Sequence, residues 1–253
     1  MRLRESTSVG VQLGMQNRHA LLVLTLLMGQ LLQAAPESDI DVAKRIQAML
    51  KVGDQKGVGH LVNYPVVRQR PLNQIANEAE FISNWDDFFD AEIIKKITGT
   101  EPREVGYNGV MLGDGEVWVS GGQITAINAR TVRFEQKMKD VQKKDKAQLF
   151  ATAQNYDQLN LDCVAGDHHI RIQTEKDTVK YFSWKKVSPL STAPELVLEG
   201  KLKLEGSAGN ERYVFKNKGF VYEVYHPYVC GEDCRTYLTV SQGKKTVFKK
   251  PCE

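Results

Sequence analysis

The chain has 253 residues, 42% hydrophobic and 26% charged, which excludes a disordered chain and a membrane bundle. With 34 Lys and Arg against 31 Asp and Glu, the formal charge of +3 is too balanced for the basic footprint of a nucleic-acid binder. Gly at 20 and Pro at 8 exclude collagen-like and low-complexity classes.

Residues 20–32 form a short apolar run, preceded by Arg18 and His19 and followed by Ala34-Ala35-Pro36. A spanning helix needs about 20 apolar residues, so the run is too short to cross a membrane. A basic flank, a short apolar core and small residues at its end read as a signal peptide over 1–35, cleaved after Ala34 or Ala35. That places the mature chain in the periplasm or outside the cell. Without the leader, 31 basic and 30 acidic side chains remain, so net charge points to no partner.

Ile40, Ala43, Ile46, Met49 and Leu50 recur at helical spacing and predict a helix over 39–52, capped by Asp39 or Asp41. Gly53, Gly57 and Gly59 break it, and Tyr64-Pro65-Val66-Val67 reads as extended. Asn77 and Glu80 have capping-box spacing before a helix that would bury Phe81, Ile82, Trp85, Phe88 and Phe89. Asp90 caps a short helix with Ile93, Ile94 and Ile97 inward and Gly99 at its end. From Glu104 the period falls to two, through Val105, Tyr107, Gly109 and Met111. Asp114-Gly115 predicts a type I′ hairpin, Val117-Trp118-Val119 the return strand, and Gly121-Gly122 a second turn before Ile124, Ala126 and Asn128. Helices followed by a curved antiparallel sheet make residues 36–130 an α+β domain.

Tyr64-Pro65, the stretch Phe81 to Phe89 and the run Tyr107-Asn108-Gly109-Val110-Met111-Leu112-Gly113-Asp114-Gly115-Glu116-Val117-Trp118 resemble small exported domains of the cystatin-like, nuclear-transport-factor-2-like superfold. The resemblance covers roughly residues 39–128 and implies helices wrapped around a bent sheet, often with a conical pocket. The superfold hosts both enzymes and binding modules, so it implies no activity. Enzymes of this kind place an acid–base pair in the pocket. His60, beside the glycines, reads as exposed or structural, and Asp86, Asp87 and Asp90 read as a solvated face with a helix cap.

Residues 131–157 read as a charged helix or linker, with interleaved signs that favour a solvated face over a membrane patch. Beyond it the pattern is strand: 160–164, 168–174, 178–184, 195–204, 211–216, 219–225, 235–241 and 245–249. Gly200 suggests a bulge or bend. Strands at this spacing predict a small β-barrel of about eight strands over 158–253.

The run Ser207-Ala208-Gly209-Asn210-Glu211-Arg212-Tyr213, followed by Lys218-Gly219, resembles the c-type lysozyme inhibitor family of membrane-bound and periplasmic barrels. In that family a serine-glycine-x-x-tyrosine loop and a later lysine enter the lysozyme cleft; here the serine stands two residues further from the tyrosine. The resemblance covers about 90 residues and implies partner contacts at Ser207, Tyr213 and Lys218. Tyr225-His226-Pro227-Tyr228 reads as an exposed recognition loop beside Cys230. His168 and His169 are adjacent on a strand and point to opposite faces, so they do not read as a metal pair.

Cys163, Cys230, Cys234 and Cys252 all lie in the last 91 residues. In an exported chain an even set reads as disulfides rather than a zinc site, with three pairings open. Cys163–Cys252 with Cys230–Cys234 is favoured, because the first closes the longest loop. No nucleophile–base pair, phosphate loop or metal set emerges, and no cofactor is implied. The chain therefore reads as an exported, non-enzymatic binding protein of the bacterial cell envelope. Its partner would be a protein or an envelope ligand, with inhibition of, or immunity to, a cell-wall hydrolase as the specific form. The rival is a small-ligand carrier or enzyme using the N-terminal pocket.

Overall fold

The N-terminal helices follow from their caps and apolar faces. A computed structural model describes residues 37–206, 209–228 and 234–253. Helix α1 spans Asp39–Val52; the Ser38 side chain accepts from the Asp41 N–H, and Gly53, at φ 70°, closes the other end in a left-handed turn. Short helices α2 (Gln55–His60), α3 (Glu78–Ser83), α4 (Trp85–Phe88) and α5 (Ala91–Thr98) follow. The single helix expected to carry Phe81 to Phe89 is interrupted at Asn84, whose side-chain amide turns back to the Glu80 carbonyl at 2.8 Å. Asp90 caps α5 by accepting from the Ile93 N–H at 2.9 Å.

Strands β1 (Arg103–Glu104), β2 (Val110–Leu112), β3 (Val117–Ser120) and β4 (Gln123–Ile127) form a four-stranded antiparallel meander. The expected strand through Tyr107 is broken by a 3-10 turn at Gly106–Asn108. The β2–β3 turn is not the two-residue type I′ form. Leu112 pairs with Val117, and the positive φ angles fall on Gly113 and Gly115 rather than on two successive central residues. One packed cluster joins helices and sheet: Ile46, Leu50, Phe81 and Phe89 meet Leu112, Val117 and Val119. Aromatic rings fill the space between them, with Phe81 and Phe88 stacked at 5.3 Å and Trp85 and Phe89 tilted at 4.6 Å.

Helix α6 spans Val132–Ala147, capped by Thr131. It presents Phe134 and Met138 to Leu72 and carries its many charges elsewhere.

The second half is one antiparallel meander in chain order: β5 (Gln158–Ala165), β6 (His168–Glu175), β7 (Thr178–Lys185), β8 (Leu196–Glu205), β9 (Asn210–Asn217), β10 (Phe220–His226), β11 (Tyr237–Gln242) and β12 (Lys245–Pro251). The concave face buries Leu161, Ile170, Ile172, Tyr181, Tyr213 and Phe215. The convex face of β6 and β7 buries Phe182 and Trp184 beneath Leu149, Ala153 and Tyr156. A bulge at Asn160 resets the alternation, so Leu159 packs on the convex side and Leu161 on the concave side. Gly200 marks no bulge. It sits in regular register, and a Cβ there would meet the Phe215 ring at 2.3 Å.

The expected closed barrel is instead a half-barrel. No strand ladder joins β12 to β5. The sheet's stagger brings only the C-terminal tail against β5, where Val164 and Glu253 exchange both N–H···O bonds at 2.7 and 2.9 Å. The Cys163–Cys252 disulfide fastens the same corner. Elsewhere along β5, Arg70 from the N-terminal half donates to the Asp162 carbonyl at 3.3 Å. Cys234 is also disulfide-bonded, while Cys230 lies outside the described residues.

The corner disulfide spans 89 residues of sequence, so its removal frees a long loop in the unfolded chain. The Cys163→Ala/Cys252→Ala variant is expected to lose about 2–4 kcal/mol in urea denaturation. Unchanged stability would contradict its role as the clasp of the half-barrel.

Candidate functional site

The half-barrel has two ends. One carries the β5–β6, β7–β8, β9–β10 and β11–β12 connections, and the other carries β6–β7, β8–β9 and β10–β11. Each end has a concavity of different chemistry.

At the first end lies an open cleft of about 280 Å³. Its walls are Tyr181, Leu196, Phe220, Tyr222, Val240 and Phe248, with His168, Ser183 and Glu195 at the margin. A bulge in β12 sets Val247 between the residues paired with Val240 and Ser241, so that Val247 and Phe248 both line the cleft. The rim is cationic: Lys185, Lys186, Lys216, Lys218, Lys244 and Lys245 are all exposed at these connections. Lys185 is 3.6 Å from Glu195, the only ion pair found for this set among the described residues.

At the second end a groove of about 710 Å³ runs between residues 67–74 and the ends of β5, β9 and β10. Tyr213 donates its hydroxyl to Glu211 at 2.6 Å. His226 meets Thr236 at 2.6 Å through Nδ1, and its ring sits edge-on to Tyr228 at 4.9 Å. Burial holds the His226 imidazole below its ordinary pKa. Partial desolvation, with Glu211 nearby, pushes the half-exposed Tyr228 phenol up to about 12.

Behind the groove is a buried ion cluster. Arg171, 1% exposed, donates to Asp145 at 2.7 and 3.2 Å and also to Asp162. Asp162 in turn meets His169 Nε2 at 2.5 Å, and the Tyr156 hydroxyl donates to Asp145 at 2.6 Å. Burial, then the hydrogen bond to Asp145, pushes the Tyr156 phenol above its ordinary pKa. The N-terminal half holds the opposite case. Asp87, fully buried, takes Arg68 at 2.8 Å and Lys137 at 2.6 Å. Of the expected solvated face with a helix cap, Asp86 is exposed on Arg133 and Asp90 is the cap, but Asp87 is corrected: it is a core anion.

The residues singled out in sequence fall at both ends. Lys218, at φ 46°, sits on the rim of the apolar cleft. Tyr213, His226 and Tyr228 line the polar groove, with Tyr213 buried and Tyr228 exposed. Tyr225 lies on the convex face, with the Arg212 guanidinium 4.8 Å from its ring and Asn210 donating to its hydroxyl at 3.0 Å. Ser207 lies outside the described residues. His168 and His169 do face opposite ways, one toward Phe248 and the other toward Trp184 and Asp162. His60 is exposed and 3.8 Å from Glu78. Among the described residues no cluster of three metal-ligating side chains occurs, and no helix is long and apolar enough to cross a membrane.

The lysine rim was missed in sequence, although a lysine stands at or beside three of the four connections at one end. Arg70 and Asn160 were missed because their loop and bulge acquire meaning only where the chain halves meet. In comparison with known proteins, no protein-family model, no curated protein and no solved structure matches this chain.

Two outcomes follow for the buried polar groups. Arg171→Met strands two carboxylates and is expected to lose about 3–5 kcal/mol in denaturant unfolding. By contrast Gln173, 1% exposed, has neither amide atom hydrogen-bonded, so Gln173→Leu should leave stability unchanged or raise it by about 1 kcal/mol. A large loss there would contradict the account. For His226 the folded pKa lies below the unfolded one, so the unfolded state binds more protons on acidification. Stability from this group is full above the ordinary imidazole range and is lost as pH falls through it. The melting temperature should therefore fall more between pH 7.5 and 5 in the wild type than in His226→Gln; equal falls would contradict the assignment.

Proposed function

We propose that the chain is an exported, non-enzymatic binding protein of the bacterial cell envelope, acting as an inhibitor or immunity protein against a cell-wall-directed enzyme. The observation that carries this reading is the apolar cleft ringed by lysines at one end of the half-barrel. At about 280 Å³ the cleft is at the lower limit of small-molecule sites and suits one apolar side chain of a partner. Glycan-cleaving enzymes carry paired carboxylates in their clefts. A cationic rim complements such a surface, and Lys218 is the rim residue that the inhibitor resemblance also selects. The leader over 1–35 and the disulfides support export to an oxidising compartment.

The test is hydrolysis of cell-wall substrate by a panel of lysozyme-type enzymes in the presence of the purified protein. Inhibition of at least one enzyme is expected, weakening as salt rises because the rim contributes by charge. Lys218→Glu and Phe220→Ser should each weaken it about tenfold or more, a change of about 1.4 kcal/mol. Full activity of every enzyme with excess protein would overturn the reading.

A further inference from the structure

The polar groove at the second end is separate from the lysine-rimmed cleft and has a chemistry of its own. Its five amides are Gln69, Asn73, Gln74, Gln158 and Asn160. Two have internal duties: Gln69 accepts from Arg130, and Asn160 accepts from Thr174. Asn73, Gln74 and Gln158 are exposed and make no side-chain hydrogen bond among the described residues. An amide offers an acceptor and two donors side by side, which matches hydroxyl groups that both donate and accept.

The charges at the groove cancel. Arg68 and Lys137 pair with Asp87, and Arg171 pairs with Asp145 and Asp162, three ions of each sign in all. That leaves Arg70 and Glu211, one of each sign. Such a lining gives no net attraction to a phosphate, a polycation or a nucleic acid. It also holds a fixed aromatic face. Tyr228 is 54% exposed, with its backbone N–H held by Asn210 at 2.8 Å and its ring braced by His226. An aromatic ring with an apolar body and a polar tip suits a ligand that alternates C–H and O–H surfaces. At about 710 Å³ the groove falls within the range of ligand sites.

We propose that this groove binds a neutral saccharide chain, through the amides of residues 73, 74 and 158 and the ring of Tyr228. The site goes beyond the protein-binding cleft and is independent of it. It would let the chain hold a glycan at one end of the half-barrel and an enzyme at the other.

The experiment is calorimetric titration of the full protein with chitotetraose, cellotetraose and maltotetraose. Saturable binding of at least one tetrasaccharide is expected. Tyr228→Ala and Asn73→Ala, both at exposed positions, should each weaken it about fivefold or more with unchanged melting temperature. Phe220→Ser, in the cleft, should leave it unchanged. No binding of any of the three at millimolar concentration would overturn the proposal. So would binding that survives Tyr228→Ala and Asn73→Ala, or binding that Phe220→Ser abolishes. None of these results depends on hydrolase inhibition, so failure here and failure of the inhibitor reading are distinguishable.

Discussion

Two buried charges of opposite sign organise the molecule. Asp87 lies in the N-terminal core and Arg171 on the convex face of the half-barrel, and neither can be left unpaired at tolerable cost. Helix α6 supplies a partner to each, Lys137 to Asp87 and Asp145 to Arg171. The two residues are eight positions apart, about 12 Å along a helix, so one rigid element spans both sites. A helix whose own composition is too polar to bury deeply is thereby fixed in position. Each pair is supplemented from its own half, by Arg68 on one side and Asp162 on the other.

This bracket determines where the two concavities stand. With α6 fixed, residues 67–74 lie along β5 where the sheet has no strand partner, and Arg70 reaches the Asp162 carbonyl. The polar groove is the space left between loop and sheet. At the opposite end the apolar cleft is lined by residues of the half-barrel, from His168 to Phe248. The corner clasp at Cys163–Cys252 and Val164–Glu253 keeps the sheet curled enough to make both concavities.

Much of the strand order was readable from alternation. The eight strands of the second half fall where Ile170 and Ile172, Tyr213 and Phe215, and Phe220, Tyr222 and Val224 alternate. The expected 163–252 pairing is also present. Curvature was not readable, because a period of two says which face is buried and nothing about whether the edges meet. Asp87 was misread for a related reason. In the acidic run with Asp86 and Asp90, only tertiary packing separates a core anion from a solvated one. The two ends of the half-barrel likewise combine residues far apart in the chain, such as Asn73 with Tyr228 or Lys185 with Lys244.

The most direct measurement of the bracket is native-state amide hydrogen exchange on Arg171→Met compared with the wild type. Coupling through α6 predicts faster exchange not only in β5 to β7 but also in α6 itself and in α4, which carries Asp87. Acceleration confined to residues 158–185, with α4 and α6 unchanged, would contradict it.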